Sequence, residues 1–525
     1  MQSGHPQPMV LATNPTVTAT TSSQPSTSAS AVVPVDDNQG PPRKLMRSRS
    51  EQSNLKQYFI KTSKSEKEQF DQEIANYIYA TNTPFQAVEH PQCKRMITKL
   101  RPGYNPPNRK QVGGPLLEKA YADTLEEYSA HLKGKTVCLA IDGWSNIHNE
   151  PIVCASVTCD EKVYLVSTLD THSKHTSENL LEITEASIEK CEKEYGCFVR
   201  SFVTDNAANM AKVRKELAKK DDTLIAYGCS AHLLNLLAQD LEIKEVKEHT
   251  TQIIKYFRNH HNPGCLYKKA GGKKLLLPAE TRWNTMIDSI QSYLQNWEIL
   301  VTVCKENNDD IDLQIARKVN DRALKRFAED YLDRLKPISV ALDKLQRDAA
   351  LISDAVEVWH KLKTDLKDLL TDKKDVEKVD KRRNAAITPA HFLANLLDPR
   401  YRGRCLSSEE VSSAENYVEE YFPNFLPTLM SYRGKSTPFK EMYFKDNVIH
   451  TLSPLAWWQS FPELRENLLL PTQLYTAVAS SAGLERVFSS FGLVQSKIRN
   501  RLGNEKASKL VTVFKHFNEK NTSLE

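Results

Sequence analysis

The sequence predicts a mixed α/β fold, with one sheet of about five strands interrupted by a large all-helical stretch. Three observations predict it. Strand-like and helix-like runs follow the order β-β-β-α-β-α-β-α from Gly134 to about Leu241. Residues from about 245 to 455 read as long, charged, leucine-bearing helices with no convincing strand. The first 60 or so residues are rich in Ser, Thr, Pro and Gln and poor in aromatics. Such a segment cannot bury enough apolar surface to offset the entropy of ordering, so it is expected to be disordered.

The pattern divides the chain into 1–60 (disordered tail), 64–132 (helical N-terminal region), 133–290 (first part of the α/β core), 291–455 (helical insertion) and 456–525 (C-terminal region completing the core). Within the tail, Pro41-Pro-Arg-Lys-Leu-Met-Arg-Ser-Arg-Ser50 reads equally as a nuclear import signal or as a solubilising charge cluster. From Lys64 the pattern turns helical, with Phe70, Ile74, Tyr77 and Ile78 at three- and four-residue spacing as an apolar stripe. Pro102-Gly-Tyr-Asn-Pro-Pro107 interrupts it, because proline spacing forbids a helix there, and a helical pattern resumes from Leu116 to Leu132.

The first strand, Thr136–Ile141, runs into Asp142-Gly143-Trp144. Ile152–Thr158 and Val163–Leu169 are strand runs joined by Cys159-Asp-Glu-Lys162, a connection of hairpin length. A helix from Thr176 to about Glu194 precedes the strand Cys197–Val203, which runs through Thr204 into Asp205-Asn206. A helix over Ala208–Lys219, a short strand at Leu224–Tyr227 and a leucine-rich helix through Leu233, Leu234, Leu236, Leu237 and Leu241 complete this segment. Beyond it, Val340–Asp354 and Glu357–Leu370 read as continuous helices, and Pro471–Asn518 is helical, punctuated by Gly492 and Gly503.

Composition narrows the class. The 525 residues carry 71 basic and 66 acidic side chains, a net +5, so any nucleic-acid surface must come from local clustering. Ten cysteines occur without a single CxxC, which argues against a disulfide framework and for a reducing interior. No apolar run approaches the ~20 residues needed to cross a bilayer, and no signal-peptide order opens the chain. No membrane partner is expected.

Three acids draw the chemistry together: Asp142 and Asp205 at strand ends, and Glu485 on a later helix. Carboxylates on rigid adjacent strands, completed by one from a helix, are the hard oxygen ligands that Mg²⁺ prefers. Two such ions about 3.5–4 Å apart activate a nucleophile and stabilise the leaving oxygen in phosphoryl transfer. Singly, each acid has a plainer reading. Asp142-Gly143 is a turn signal, Asp205-Asn206 a helix cap, and Glu485 a surface ion-pair partner.

Six blocks in order give the set its weight: Asp142-Gly-Trp-Ser145, Phe202-Val-Thr-Asp-Asn-Ala-Ala-Asn-Met210, Cys229-Ser-Ala-His-Leu-Leu-Asn-Leu236, Glu280-Thr-Arg-Trp-Asn284, Leu396-Leu-Asp-Pro-Arg-Tyr401, and Ser481-Ala-Gly-Leu-Glu-Arg-Val-Phe-Ser489 followed by Arg499-Asn-Arg-Leu502. On these blocks the chain resembles hAT-family DNA transposases and the host proteins derived from them. The resemblance implies an RNase H-like core interrupted by a helical insertion, with the acid triad on Asp142, Asp205 and Glu485. It implies Mg²⁺ (or Mn²⁺) as cofactor, and DNA transposition: cleavage at element ends, a hairpin on the flanking DNA, and joining of the freed 3′-hydroxyl to a target.

The same resemblance places Trp283 where family members stack a displaced base, a contact worth roughly 1–3 kcal/mol; a buried packing role fits Trp283 equally. Arg282 touches a phosphate or pairs with an acid. Lys497, Arg499 and Arg501 form a basic knot that reads either as a DNA-backbone contact or as solvent-facing charge. The C-terminal segment resembles the family's dimerisation region. Its stripes are Leu484, Val487, Phe488 and Phe491, then Leu510, Val513, Phe514 and Phe517, with an intramolecular core as the plainer reading. The implied partners are DNA, a second copy of the chain and chromatin regulators, in the nucleus. Zinc is not expected, because Cys229-x-x-His232 has no partner pair, with only His260, His261 and Cys265 nearby in sequence. A BED-type zinc finger is not expected either, since there is no CxxC and no cysteine before Cys93. Two functions stay open: Mg-dependent DNA cleavage and transfer, or a catalytically idle adaptor that binds chromatin or regulates transcription through dimerisation.

Overall fold

The computed structural model describes residues 62–146, 148–170, 176–278, 284–495 and 502–522. The N-terminal tail with its basic cluster, Arg282, Trp283, Lys497, Arg499 and Arg501 lie outside the described residues.

Five strands form one sheet: β1 Thr136–Ser145, β2 Pro151–Cys159, β3 Lys162–Asp170, β4 Phe198–Thr204 and β5 Ile225–Gly228. Their spatial order is β3-β2-β1-β4-β5. The first three pair antiparallel, while β4 runs parallel to β1 and β5 parallel to β4. The β2–β3 connection is tight because Asp160 and Glu161 both take positive φ (48° and 61°), the backbone twist that suits a two-residue hairpin. The helix Ser177–Lys193 carries the chain from the edge strand β3 to β4, and Ala208–Lys220 carries it on to β5.

Both faces of the sheet are covered, which is why its strands read as nearly continuous apolar runs. On one face Val137, Leu139, Ile141, Val153, Ala155 and Val157 pack with Leu180, Met210, Val213 and Leu217 of the two crossover helices. On the other, Cys138, Ala140, Cys154, Leu165 and Val203 join a core that continues through the helical region to the C-terminal helices. The helical stretch shares its core with the sheet, and 60–525 form one compact unit. Among the described residues, no helix is long and apolar enough to cross a membrane.

Four local expectations need correction. In the helix Lys64–Ala80 the buried positions are Asp71, Ala75, Ile78 and Tyr79, while Tyr77 is 66% exposed. Asp71 tolerates burial because Tyr104 Oη donates to it at 2.6 Å and Lys67 Nζ at 2.7 Å. β1 does not end before Asp142; it continues through Ser145, paired with β2 at Asp142↔Cys154 and Trp144↔Ile152. Asp142-Gly143 is thus strand, not turn.

Val340–Asp354 is not one helix. The helix Arg322–Leu345 stops and Ile352–Lys367 begins after a break. The break frees Ala350 and Ile352 to exchange backbone hydrogen bonds with Ala479 and Ala477 (2.8 and 3.1 Å). That exchange also interrupts the C-terminal region between the helices Leu469–Thr476 and Ala482–Val494. Tertiary pairing here overrides a helical pattern that satisfies itself locally.

Last, the proposed dimerisation stripe is largely consumed within the chain. Leu484, Val487, Phe491, Leu510 and Val513 are all at most 1% exposed. Phe488 and Phe517 pack part-buried on the same core, and Phe514 is part-buried. Helix Ala482–Val494 packs on β1 and on the helix Asn504–Thr522, which in turn packs on Lys64–Ala80 and Pro115–Leu132. These side chains help close the fold, as the intramolecular reading has it, with Phe488, Phe514 and Phe517 left part-exposed.

Candidate active site

The sheet brings the two aspartates side by side. β1 and β4 pair in parallel up to Ile141↔Thr204, so Asp142 and Asp205 are the next residues on neighbouring strands, about 5 Å apart in backbone spacing. Asp142 follows Cys138 and Ala140 at period two, on the face that the helix Ala482–Val494 covers. Its Oδ1 accepts the Gly143 N–H at 2.8 Å.

Asp205 is held by its surroundings. Its Oδ1 accepts the Ala207 N–H at 3.1 Å. Arg214, from the following helix, donates to the Asp205 carbonyl at 2.6 Å and to Thr204 Oγ1. Asn206 reaches across to β5 and donates to the Cys229 carbonyl at 2.8 Å. A Cβ on Gly228 would stand 1.9 Å from Asn206 Oδ1, so only glycine fits there. Gly228→Ala is expected to cost about 1–3 kcal/mol by overpacking. Thermal unfolding checks it, and an unchanged melting temperature would contradict this view of the Asp205 turn.

Glu485 arrives on the helix Ala482–Val494, and aromatic rings fix that helix to β1. Trp144 stacks on Phe488 (centroids 4.4 Å apart, planes at 29°) and lies 4.8 Å from Phe491. Trp144 is two residues beyond Asp142, on the same strand face. Phe488 is three residues beyond Glu485, on the same helix face. One ring contact therefore carries both acids toward each other. At the start of the helix, a Cβ on Gly483 would come within 2.5 Å of Val163 Cγ2, so glycine permits the close approach to β3. Arg486 donates to the Gln346 carbonyl at 2.9 Å and pairs with Asp348.

The Cys229–His232 block proves to be part of this scaffold. The buried Cys229 thiol caps the helix Ser230–Asp240 by accepting the His232 N–H at 3.4 Å. It also accepts the Ser481 N–H at 3.4 Å. Ser230 N–H donates to the Ala479 carbonyl at 3.1 Å, and Tyr227 Oη to the Val478 carbonyl at 2.7 Å. The β5 end is thereby stitched to the segment that launches the Glu485 helix.

Electrostatics tie the three acids into one field. Burial pushes the Asp142 carboxyl up to about 7, and the charges of Asp205 and, less strongly, Glu485 add to the rise against the Gly143 N–H. A dication would relieve that repulsion, and an all-carboxylate donor set suits Mg²⁺ or Mn²⁺. The acids do not close around a single point. Among the described residues, the group of three His, Cys, Asp or Glu side chains with ligand atoms all within 4.8 Å is His131, Cys159 and Asp160.

Trp144 and Arg214 emerge as positioning residues that the sequence does not single out. The Trp144 and Phe488 offsets from their acids were visible, but nothing in the sequence says that this helix packs on that strand. The DNA-contact expectations at Arg282, Trp283, Arg499 and Arg501 fall outside the described residues.

No curated protein matches the chain. Residues 107–255 match a family described as a domain of unknown function (DUF659), which is found in hAT-type transposase-like proteins. The matched segment contains all five strands with Asp142 and Asp205, and stops short of Glu485.

Proposed function

We propose that the chain is a hAT transposase-like protein that cleaves and transfers DNA strands at an Asp142–Asp205–Glu485 metal site on an RNase H-like core. The observation that carries this reading is the parallel β1–β4 register, which sets Asp142 and Asp205 side by side beyond Ile141↔Thr204. Beside burial, the charges of Asp205 at the β4 end and of Glu485 on a distant helix both push the Asp142 carboxyl up. The sheet order β3-β2-β1-β4-β5, antiparallel then parallel about β1, supports the RNase H-like assignment.

In this reading Asp142 and Asp205 would hold Mg²⁺ (or Mn²⁺) from adjacent strand ends, with Glu485 as the ligand from the helix. The chemistry a bound metal would supply is activation of a water or 3′-hydroxyl and stabilisation of charge on the leaving oxygen. The protein's own work is placement. The parallel β1–β4 register sets the aspartate spacing, Arg214 and Asn206 fix the Asp205 turn, and the Trp144–Phe488 stack holds Glu485 over them. DNA is the partner. Residence in the nucleus and self-association belong to the same reading, through a surface other than the buried C-terminal stripe.

The purified full chain is expected to nick supercoiled DNA in Mg²⁺ or Mn²⁺, and Asp205→Asn to reduce nicking to background. Absence of cutting by the unaltered chain on any DNA, including the ends of its own element, would sink the enzyme reading. One observation favours a second reading, a catalytically idle adaptor for chromatin or transcriptional regulators: the three carboxylates are not drawn within 4.8 Å of one another. Metal-independent DNA or chromatin binding without cutting would select it.

A further inference from the structure

A second donor set lies at the other end of the sheet. His131 sits in the last turn of the helix Pro115–Leu132, Cys159 ends β2, and Asp160 begins the hairpin turn. Their ligand atoms all lie within 4.8 Å of one another. His131 Nε2 and Asp160 Oδ2 are 3.3 Å apart. Two ligands each about 2.0–2.1 Å from one tetrahedral ion are separated by about 3.4 Å. The buried Cys159 thiol lies within 4.8 Å of the ligand atoms of both His131 and Asp160. The His131 ring is held by stacking on Tyr164, with centroids 5.5 Å apart and planes at 25°.

The donors already converge on a cation. Lys135 Nζ lies 2.6 Å from Asp160 Oδ2 and 3.1 Å from His131 Nε2. Lys135, His131 and Asp160 are each more than a third exposed, so the lysine's flexible stem can swing its ammonium into solvent. The set also includes the buried Cys159 thiol, and a thiol is the ligand that separates zinc from hard cations.

We propose that His131, Cys159 and Asp160 form a Zn²⁺ site that Lys135 occupies in the metal-free protein. Binding releases the Cys159 proton to solvent, turns the Lys135 ammonium out, and leaves a fourth position for water or another ligand. The ion pins the end of the helix Pro115–Leu132 to the β2–β3 turn. The site goes beyond the proposed DNA chemistry and is independent of it. Cys159 is about 17 Å along β2 from Cys154, the partner of Asp142, and it packs on the opposite face of the sheet.

Zinc binding to the full chain, read by competition with a chromophoric chelator in excess Mg²⁺, tests the proposal. The unaltered chain should take up about one Zn²⁺. His131→Gln and Cys159→Ser should each weaken binding at least about tenfold, and Lys135→Gln should tighten it about tenfold by removing the competing charge. Asp205→Asn should leave zinc affinity unchanged, which separates this site from the acid triad. The Co²⁺ form should show thiolate-to-metal charge transfer. That reading on the unaltered chain decides the matter even if Cys159→Ser fails to fold. Failure to bind zinc, equal affinity in His131→Gln, or a Co²⁺ spectrum without the thiolate band would each overturn the proposal.

Discussion

In EDTA at pH 8, Asp142→Asn is expected to be more stable than the unaltered chain, by up to about 4 kcal/mol. The folded carboxyl rises from its ordinary 3.8 to about 7, and each unit is worth about 1.36 kcal/mol. The sign follows from linkage. A raised carboxyl favours the folded state while it is protonated in both states, below about pH 4. That contribution is lost as pH climbs toward 7, where the folded chain must carry a crowded charge that the unfolded chain carries freely. Asn removes the charge and keeps the Oδ1 acceptor for the Gly143 N–H. Urea unfolding at pH 4 and pH 8 measures the difference, which should be near zero at the acid end. Mg²⁺ should stabilise the unaltered chain at pH 8 and the variant much less. A pH-independent difference between the two proteins would show that Asp142 carries no such field.

Trp144→Ala is expected to destabilise the chain by about 3 kcal/mol, the low end for loss of a large aromatic, since the ring is only part-buried. It should also depress any metal-dependent DNA cutting, although no metal ligand is removed, because the stack on Phe488 and Phe491 is lost and the Glu485 helix loosens. Trp144→Phe should recover most of both. Melting and nicking measured on the two variants test this. A stable, fully active Trp144→Ala would mean that the ring contact does not position Glu485.

Much of this architecture was legible in the sequence. The five strands are legible because burial on both faces makes each an apolar run, and four of them differ from the sequence reading by only one residue at each end. Asp-Gly reads locally as a turn and ends the expected strand at Ile141, whereas the antiparallel ladder with β2 carries β1 four residues further. The stripe in Lys64–Ala80 was misread because Asp71 looks polar until Tyr104 and Lys67 are seen beside it. The helix expected through Val340–Asp354 broke because Ala350 and Ile352 found backbone partners more than a hundred residues away.

By itself the sequence determined the order of the strands and most of the helices, and which three acids stand out, since periodicity and composition are local properties of the chain. Only the tertiary structure decided that Asp142 and Asp205 are neighbours one strand apart, that a Trp144–Phe488 stack brings Glu485 to them, and that the C-terminal apolar stripe is spent inside the molecule. It also decided that His131, Cys159 and Asp160 meet around Lys135. Each of these depends on which surfaces pack together, and side-chain spacing along one element carries no record of the element it will face.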